Sequence, residues 1–149
     1  MISKKCIFAS DKDQIKMEKV TVDQLYHLSR ENHDGDIFIP RIPADKDVYE
    51  DSKTRRICFS TTLEGAFKAI CEFYYEHKYP LYVHVPERMP ANVWQPNEHE
   101  VYDVNRTQEK WVRQNVKMKC IGIAMFEGID YSKNEDVPES VKINWIEKF

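Results

Sequence analysis

The sequence lacks the glycine motifs and long apolar runs that mark several common classes of protein. Only four of its 149 residues are glycine, and it has no glycine-rich phosphate loop, no Gly-x-Ser-x-Gly elbow and no His-Glu-x-x-His motif. The sequence therefore argues against a P-loop, a hydrolase nucleophile elbow and a zinc protease site. No apolar run approaches the ~18 residues of a membrane span, and the N-terminus lacks the apolar core of a signal peptide. We expect no membrane contact.

An excess of basic charge is also lacking. The chain has 25 acidic and 22 basic residues, a net charge of -3, so no global positive field would hold nucleic acid. We therefore expect no broad nucleic-acid surface. A hydrophobic content of 42% is typical of a compact soluble protein, and the length suits one domain over residues 1–149.

The cysteines lack the spacing of a metal or redox motif. Cys6, Cys58, Cys71 and Cys120 each lie in an apolar stretch, and none belongs to a Cys-x-x-Cys pair. Isolated cysteines in apolar surroundings are typical of buried free thiols in a reducing compartment. The histidines do not supply zinc-ligand spacing either. We predict a cytoplasmic protein with no metal site.

One helix and several strands are predicted. Thr61-Thr62-Leu63-Glu64 reads as a capping box, and the apolar residues that follow at three-and-four spacing predict a helix over about residues 62–77. Strands are predicted at residues 25–29, 56–60, 81–85, 109–113, 116–125 and 141–146. The expected architecture is α+β, a mostly antiparallel twisted sheet with one main helix.

The strand at residues 25–29 carries the first candidate binding residues. Alternation places His27 and Ser29 on one face, with Tyr26 and Leu28 on the other. An imidazole beside a hydroxyl offers donors and acceptors that suit a ribose. The alternative is an ordinary strand whose polar face meets solvent.

The turn before the helix carries the second group of candidates. Ser60, Thr61 and Thr62 are consecutive hydroxyl residues, which is more than a helix cap requires. A helix N-terminus favours a bound anion such as a pyrophosphate. Ser60 and Thr61 are therefore candidate phosphate contacts, with a purely structural cap as the alternative.

Two arginines and a tyrosine complete the predicted binding residues. Arg41 lies between two prolines that restrict its backbone, and Arg56 leads into the strand before the cap. Both are candidates for phosphate binding, and solvated loop charges are the alternative. Tyr74, near the predicted end of the helix, could stack on a ring or belong to the core.

Glu109 is the first choice for an acid that stabilises developing positive charge. Strand alternation places it on the same face as Trp111 and Arg113, so an aromatic wall would lie beside the carboxylate. A surface glutamate with no role is the alternative. Competing acids are Glu50, Asp51 and Glu100.

The order of these segments resembles the ADP-ribosyltransferase superfamily. The resemblance covers roughly residues 23–125 and rests on Leu25-Tyr26-His27-Leu28-Ser29, on Phe59-Ser60-Thr61 followed by Ala66, and on Glu109-Lys110-Trp111-Val112. It implies an ADP-ribosyltransferase-like fold that binds NAD. A segment from Pro40 to Phe59 is also similar to small uncharacterised proteins of bacteria and their phages, a resemblance that implies no activity.

The resemblance also implies roles for the candidate residues. His27 and Ser29 would hold the ribose, Arg41 or Arg56 would meet the pyrophosphate, and Tyr74 would pack near the nicotinamide. Glu109 would stabilise the oxocarbenium-like state as nicotinamide departs.

The chain departs from the family pattern at one position. The family carboxylate usually lies directly before an aromatic or aliphatic strand residue, where this chain has Lys110. Glu109 is displaced by one, which turns it to the other strand face unless a bulge intervenes.

Two functions follow from these observations. The first is an ADP-ribosyltransferase-like protein that binds NAD or a related nucleotide and transfers ADP-ribose to a macromolecule such as a protein target. The alternative is a non-catalytic nucleotide-binding or partner-binding protein of phage or bacterial origin on the same scaffold.

Overall fold

The computed structural model describes residues 17–44, 51–70, 79–101, 103–130 and 140–149. Within these ranges the chain forms two antiparallel sheets and two short helices. The elements, in chain order, are β1 Glu18–Lys19, β2 His27–Ser29, β3 Ile37–Phe38, β4 Ile57–Ser60, α1 Leu63–Ala69, β5 Pro80–Pro86, β6 Val93–Gln95, α2 Val104–Thr107, β7 Glu109–Val112, β8 Val116–Asp130 and β9 Ser140–Lys148. The α+β class and the mostly antiparallel pairing are confirmed.

The first sheet has the strand order β1-β6-β7-β4, and the second has the order β2-β5-β8-β3, with β9 also paired to β8. An isolated bridge between Tyr26 and Ser60 joins the two sheets. Its hydrogen bonds are Tyr26 N–H to the Ser60 carbonyl at 2.8 Å and Ser60 N–H to the Tyr26 carbonyl at 3.0 Å. The strands that carry His27, Ser60 and Glu109 are therefore neighbours in space.

Side chains from both sheets form the first of two buried cores. Ile57 and Phe59 alternate inward from β4 and meet Val112 of β7 and Met118 of β8. A second core lies where α1 covers the other sheet, with Phe67 packed among apolar residues of β5 and β8. Tyr26 and Leu28 pack against this second core. The predicted alternation of the 25–29 strand is thus seen in its packing.

Helix α1 begins one residue later than the predicted capping box. Thr62 is the N-cap, because its Oγ1 accepts from the Gly65 N–H at 2.9 Å. The preceding Thr61 lies outside the helix, and its N–H donates to the Gln108 carbonyl at 3.3 Å. Glu64 instead pairs with Lys68 at 3.0 Å, one turn along the helix. The described helix ends at Ala69, and the predicted remainder over 71–77 lies outside the described residues.

Helix α2 is a feature that the sequence reasoning missed. It has four residues and ends at Thr107, and its C-cap Gln108 has a φ of 56°, in the left-handed region. Such a short turn leaves too little periodicity to detect. No helix in the described ranges is long and apolar enough to cross a membrane.

Candidate functional site

His27 is half-buried and lies among aromatic rings. Its ring meets Phe38 edge-on at a centroid distance of 5.2 Å and Phe59 at 6.1 Å. Its Nδ1 is 3.2 Å from the Cys58 carbonyl oxygen. A carbonyl can only accept, so Nδ1 carries the proton and donates. Burial is the main cause that lowers the pKa of His27 to about 4, so the ring is neutral near pH 7.

Ser29 shares the strand face of His27 but has a local role. Its Oγ accepts from the Glu31 N–H at 3.1 Å, which shapes the turn after β2. The expectation of an open polar face at His27 and Ser29 is therefore only half met, because the His27 ring is packed against Phe38 and Phe59.

Ser60 and Glu109 are direct cross-strand partners in the β4–β7 ladder. Both side chains are buried. The Glu109 carboxylate accepts from the Trp111 Nε1–H at 2.6 Å, so these two residues share a face as alternation predicted. The aromatic wall expected beside Glu109 is present, and it binds the carboxylate.

The strand register separates Glu109 from His27. Ser60 is paired with Glu109 and Phe59 with Lys110, in a register that runs unshifted along the whole of β7. Because strand side chains alternate, the face of Phe59, which His27 contacts, carries Lys110, and the opposite face carries Glu109. The structure brings Ser60 and Glu109 together, and it leaves His27 on the other face.

Lys110 is the residue on this face that sequence reasoning did not select. Its side chain is half-buried, and Nζ lies 3.4 Å from the carbonyl oxygens of Gln108 and Glu109. Burial lowers the pKa of the Lys110 ammonium, and the Glu109 charge acts in the opposite direction. One feature of the sequence could have indicated Lys110: it occupies the position at which the family pattern has its carboxylate.

The hydroxyl-rich turn is held by Gln108. The Thr62 Oγ1 donates to Gln108 Oε1 at 2.7 Å while it accepts from the helix N–H of Gly65. The Thr61 Oγ1 is 3.5 Å from the same oxygen. Thr62 therefore acts as a structural cap, and the Thr61 hydroxyl points to the same turn.

The two candidate arginines have different surroundings. Arg41 and Arg56 face each other in a backbone bridge, with N–H to carbonyl distances of 3.1 and 2.9 Å. Arg56 is buried, its guanidinium lies 4.0 Å from the centroid of the Trp111 ring, and its Nη1 donates to the carbonyls of Asp51 and Thr54 at 2.9 Å. These contacts give Arg56 a role in the fold. Arg41 is exposed and is the arginine that a ligand can reach.

Two of the alternative acids lie in the described ranges. Glu100 accepts from the Asn97 N–H at 2.6 Å, and burial is the main cause that raises its pKa. Asp51 accepts from the N–H groups of Lys53 and Thr54 in a tight turn. Both carboxylates thus order loops. Tyr74 and Glu50 lie outside the described residues.

The described residues also line an open cleft of about 300 Å³. Its walls include Glu18, Gln95, Glu98 and Asn105, and it contains none of the predicted site residues. In the part of the chain that the structure describes, no group of three or more His, Cys, Asp or Glu side chains could hold a metal ion.

Comparisons with known proteins give no match to a family model, a curated protein or a solved structure. The function is therefore argued from the geometry of the chain itself.

Proposed function

We propose that this protein binds a nucleotide such as NAD on an ADP-ribosyltransferase-like scaffold and does not transfer ADP-ribose. The observation that carries the proposal is the register of β4 and β7, in which Lys110 is the partner of Phe59 on the face that His27 contacts. The carboxylate of Glu109 is on the opposite face, bonded to Trp111.

The charges on this face favour binding over catalysis. Loss of nicotinamide from NAD develops positive charge on the ribose, which a carboxylate stabilises and an ammonium opposes. An ammonium instead attracts phosphate oxygens. Lys110 and the exposed Arg41 are the cationic side chains proposed for the pyrophosphate, and the neutral ring of His27 is proposed to contact the ribose.

The supporting experiment measures binding and turnover separately. Titration of NAD should raise the melting temperature of the wild-type protein, since ligand at a hundred times its dissociation constant adds about 2.7 kcal/mol. Nicotinamide release in the presence of lysate proteins should stay at the buffer rate.

Lys110→Ala should weaken binding at least about tenfold, the effect of 1.4 kcal/mol. Lys19→Ala, an exposed lysine of β1, is the matched control and should bind as wild type. Unchanged binding by Lys110→Ala would contradict the proposal.

A second candidate function is a catalytic ADP-ribosyltransferase with Glu109 as its acid. It is favoured by the cross-strand pairing of Ser60 with Glu109 and by the burial of both side chains. If Glu109 is catalytic, the wild-type protein should release nicotinamide from NAD. The Glu109→Gln variant should still bind NAD but should no longer release nicotinamide. Release by the wild type that disappears in Glu109→Gln would decide for this candidate and against a non-catalytic binder.

A cytoplasmic location is part of the same proposal. Cys120 is a buried free thiol. Burial is the main cause that raises the pKa of the Cys120 thiol, so it stays protonated and unreactive. Unpaired thiols suit a reducing compartment.

A further inference from the structure

Three histidines meet where β2, β5 and the segment of residues 30–36 come together. The ring centroids of His33 and His84 are 5.6 Å apart, and those of His27 and His84 are 6.3 Å apart. The three residues come from distant parts of the sequence. None of the contacts described above for the proposed nucleotide site uses His33 or His84.

His84 makes the bond on which this cluster depends. The side chain is fully buried, at 0% exposure, and its Nε2 accepts from the backbone N–H of His33 at 2.9 Å. An imidazole nitrogen accepts only when it has no proton, so His84 is neutral with its proton on Nδ1. A proton added to Nε2 would face the His33 N–H, and the bond would be lost.

The same bond holds one side of the 30–36 segment. The other side is bonded to β8, with Gly35 N–H to the Met118 carbonyl and Met118 N–H to the Asp36 carbonyl, both at 2.8 Å. Asp34 adds a third bond, because its Oδ1 accepts from the Cys120 N–H at 2.8 Å. Among these bonds, the segment is attached to β5 through His84 alone, and to β8 through its backbone and the Asp34 side chain.

The groups around His84 act on its pKa in both directions, and the net effect lowers it. His27 from β2 and His33 from the segment are like charges when protonated, and Cys120, its cross-strand partner on β8, is a neutral thiol. Backbone groups of His27 and Tyr82, and then the charge of Asp34, favour protonation of His84. Burial is the largest cause that lowers the pKa of His84, followed by His33.

The remaining charges act on the neighbouring rings. Asp36 is paired with His33, with Oδ2 at 3.0 Å from Nδ1, so its charge is directed to that ring. Arg41 lowers the pKa of His27 after the larger effects of burial and the other two histidines. No strong counter-charge among the described residues would keep a protonated His84 in place.

We propose that the 30–36 segment is a pH-sensitive attachment, in which protonation of His84 at Nε2 breaks its bond to the His33 N–H, detaches the segment from β5 and so weakens its remaining attachment to β8. Release would also unpack Phe38, which follows the segment and lies edge-on between His27 and His33 at 5.2 Å from each. The His27 ring would then lose its edge-on contact with Phe38 in acid.

Amide hydrogen exchange tests this directly. Protection factors of the Gly35 and Met118 amides in the full chain should fall at least about tenfold as the pH is lowered from 7 through the titration of His84, while the amides of β4 and β7 keep theirs. In His84→Gln the amide oxygen can accept the same bond but cannot take a proton, so protection of Gly35 should not change with pH. His99→Gln, an exposed histidine outside the cluster, is the control and should behave as wild type.

A second measurement covers the case in which His84→Gln does not fold. The ring nitrogens of wild-type His84 should report a neutral ring with the proton on Nδ1 at pH 7, and their titration should coincide with the loss of Gly35 protection. Protection of Gly35 that stays equal before and after the titration of the His84 ring in the wild type would overturn the proposal. So would a pH-dependent loss in His84→Gln with the wild-type midpoint.

Discussion

Replacement of Gly65 by alanine should destabilise the protein, although the same change in an exposed helix stabilises by about 0.5–1 kcal/mol. Gly65 lies in the first turn of α1, where the helix meets α2. A Cβ built on Gly65 would lie 2.3 Å from the Thr107 carbonyl oxygen and 3.0 Å from the Thr62 Oγ1. The first is a backbone atom at the end of α2, so it cannot turn aside as a flexible side chain would.

The magnitude follows from these two contacts. Van der Waals contact needs roughly 3.5 Å, so α1 must move by about 1 Å from α2, and overpacking of this kind costs about 1–3 kcal/mol. Disturbance of the Thr62 cap adds up to about 1 kcal/mol. After the helix-propensity gain is subtracted, we expect Gly65→Ala to lower the free energy of unfolding by about 1–3 kcal/mol.

Urea denaturation followed by tryptophan fluorescence measures this free energy. Gly128→Ala is the control, because no atom lies within 4 Å of a Cβ built at that position of β8. Gly128→Ala should therefore stay close to wild type. A Gly65→Ala protein with a midpoint equal to or above wild type, at an unchanged m-value, would refute the close approach of α1 to α2.

Three further predictions concern buried polar groups. Trp111→Phe keeps a ring but removes the donor to the Glu109 carboxylate, so we expect a loss of about 1–3 kcal/mol in urea denaturation, against a smaller loss for Trp94→Phe. Arg56→Lys should cost about 2 kcal/mol, because a lysine cannot make both carbonyl bonds while it stacks on the indole; a wild-type midpoint would contradict this. The free energy of unfolding should fall as the pH drops from 6.5 toward about 4, by up to about 3 kcal/mol from His27, since the unfolded chain binds a proton there that the folded chain does not. Urea midpoints that stay constant over this range would contradict the low pKa of His27.

The candidate site shows which residue relations alternation can predict. Glu109 and Trp111 were expected on one face of a strand, and they share a hydrogen bond. Their separation from His27 depends on which residue of β4 each one opposes, and such a register belongs to two distant segments. The displacement of Glu109 by one residue, which leaves Lys110 at the family's acid position, is visible in the sequence. Which of the two side chains lies on the face that His27 contacts depends on the register with β4.

Arg56 illustrates a different limit. Its position before a strand suggested a solvated or phosphate-binding charge. In the fold it is buried against Trp111, which is 55 positions away in the sequence numbering, and it bonds two loop carbonyls. An arginine side chain can stack its planar guanidinium on an aromatic ring while its N–H groups bond to carbonyls, so it can be buried as well as exposed. Composition and periodicity do not distinguish these two cases.

The sequence by itself determined the α+β class, the approximate positions of β2, β4, β5, β7, β8 and β9, and the start of α1 to within one residue, because periodicity and capping act over a few neighbouring residues. It did not predict the two- and three-residue strands β1, β3 and β6, which are too short to show a period. Only the tertiary structure decided the pairing of Ser60 with Glu109, the place of Lys110 on the His27 face and the contact between His33 and His84. His33 and His84 are 51 positions apart, and such contacts form only when packing brings separate strands into one register. The chemistry of the candidate site depends on that register.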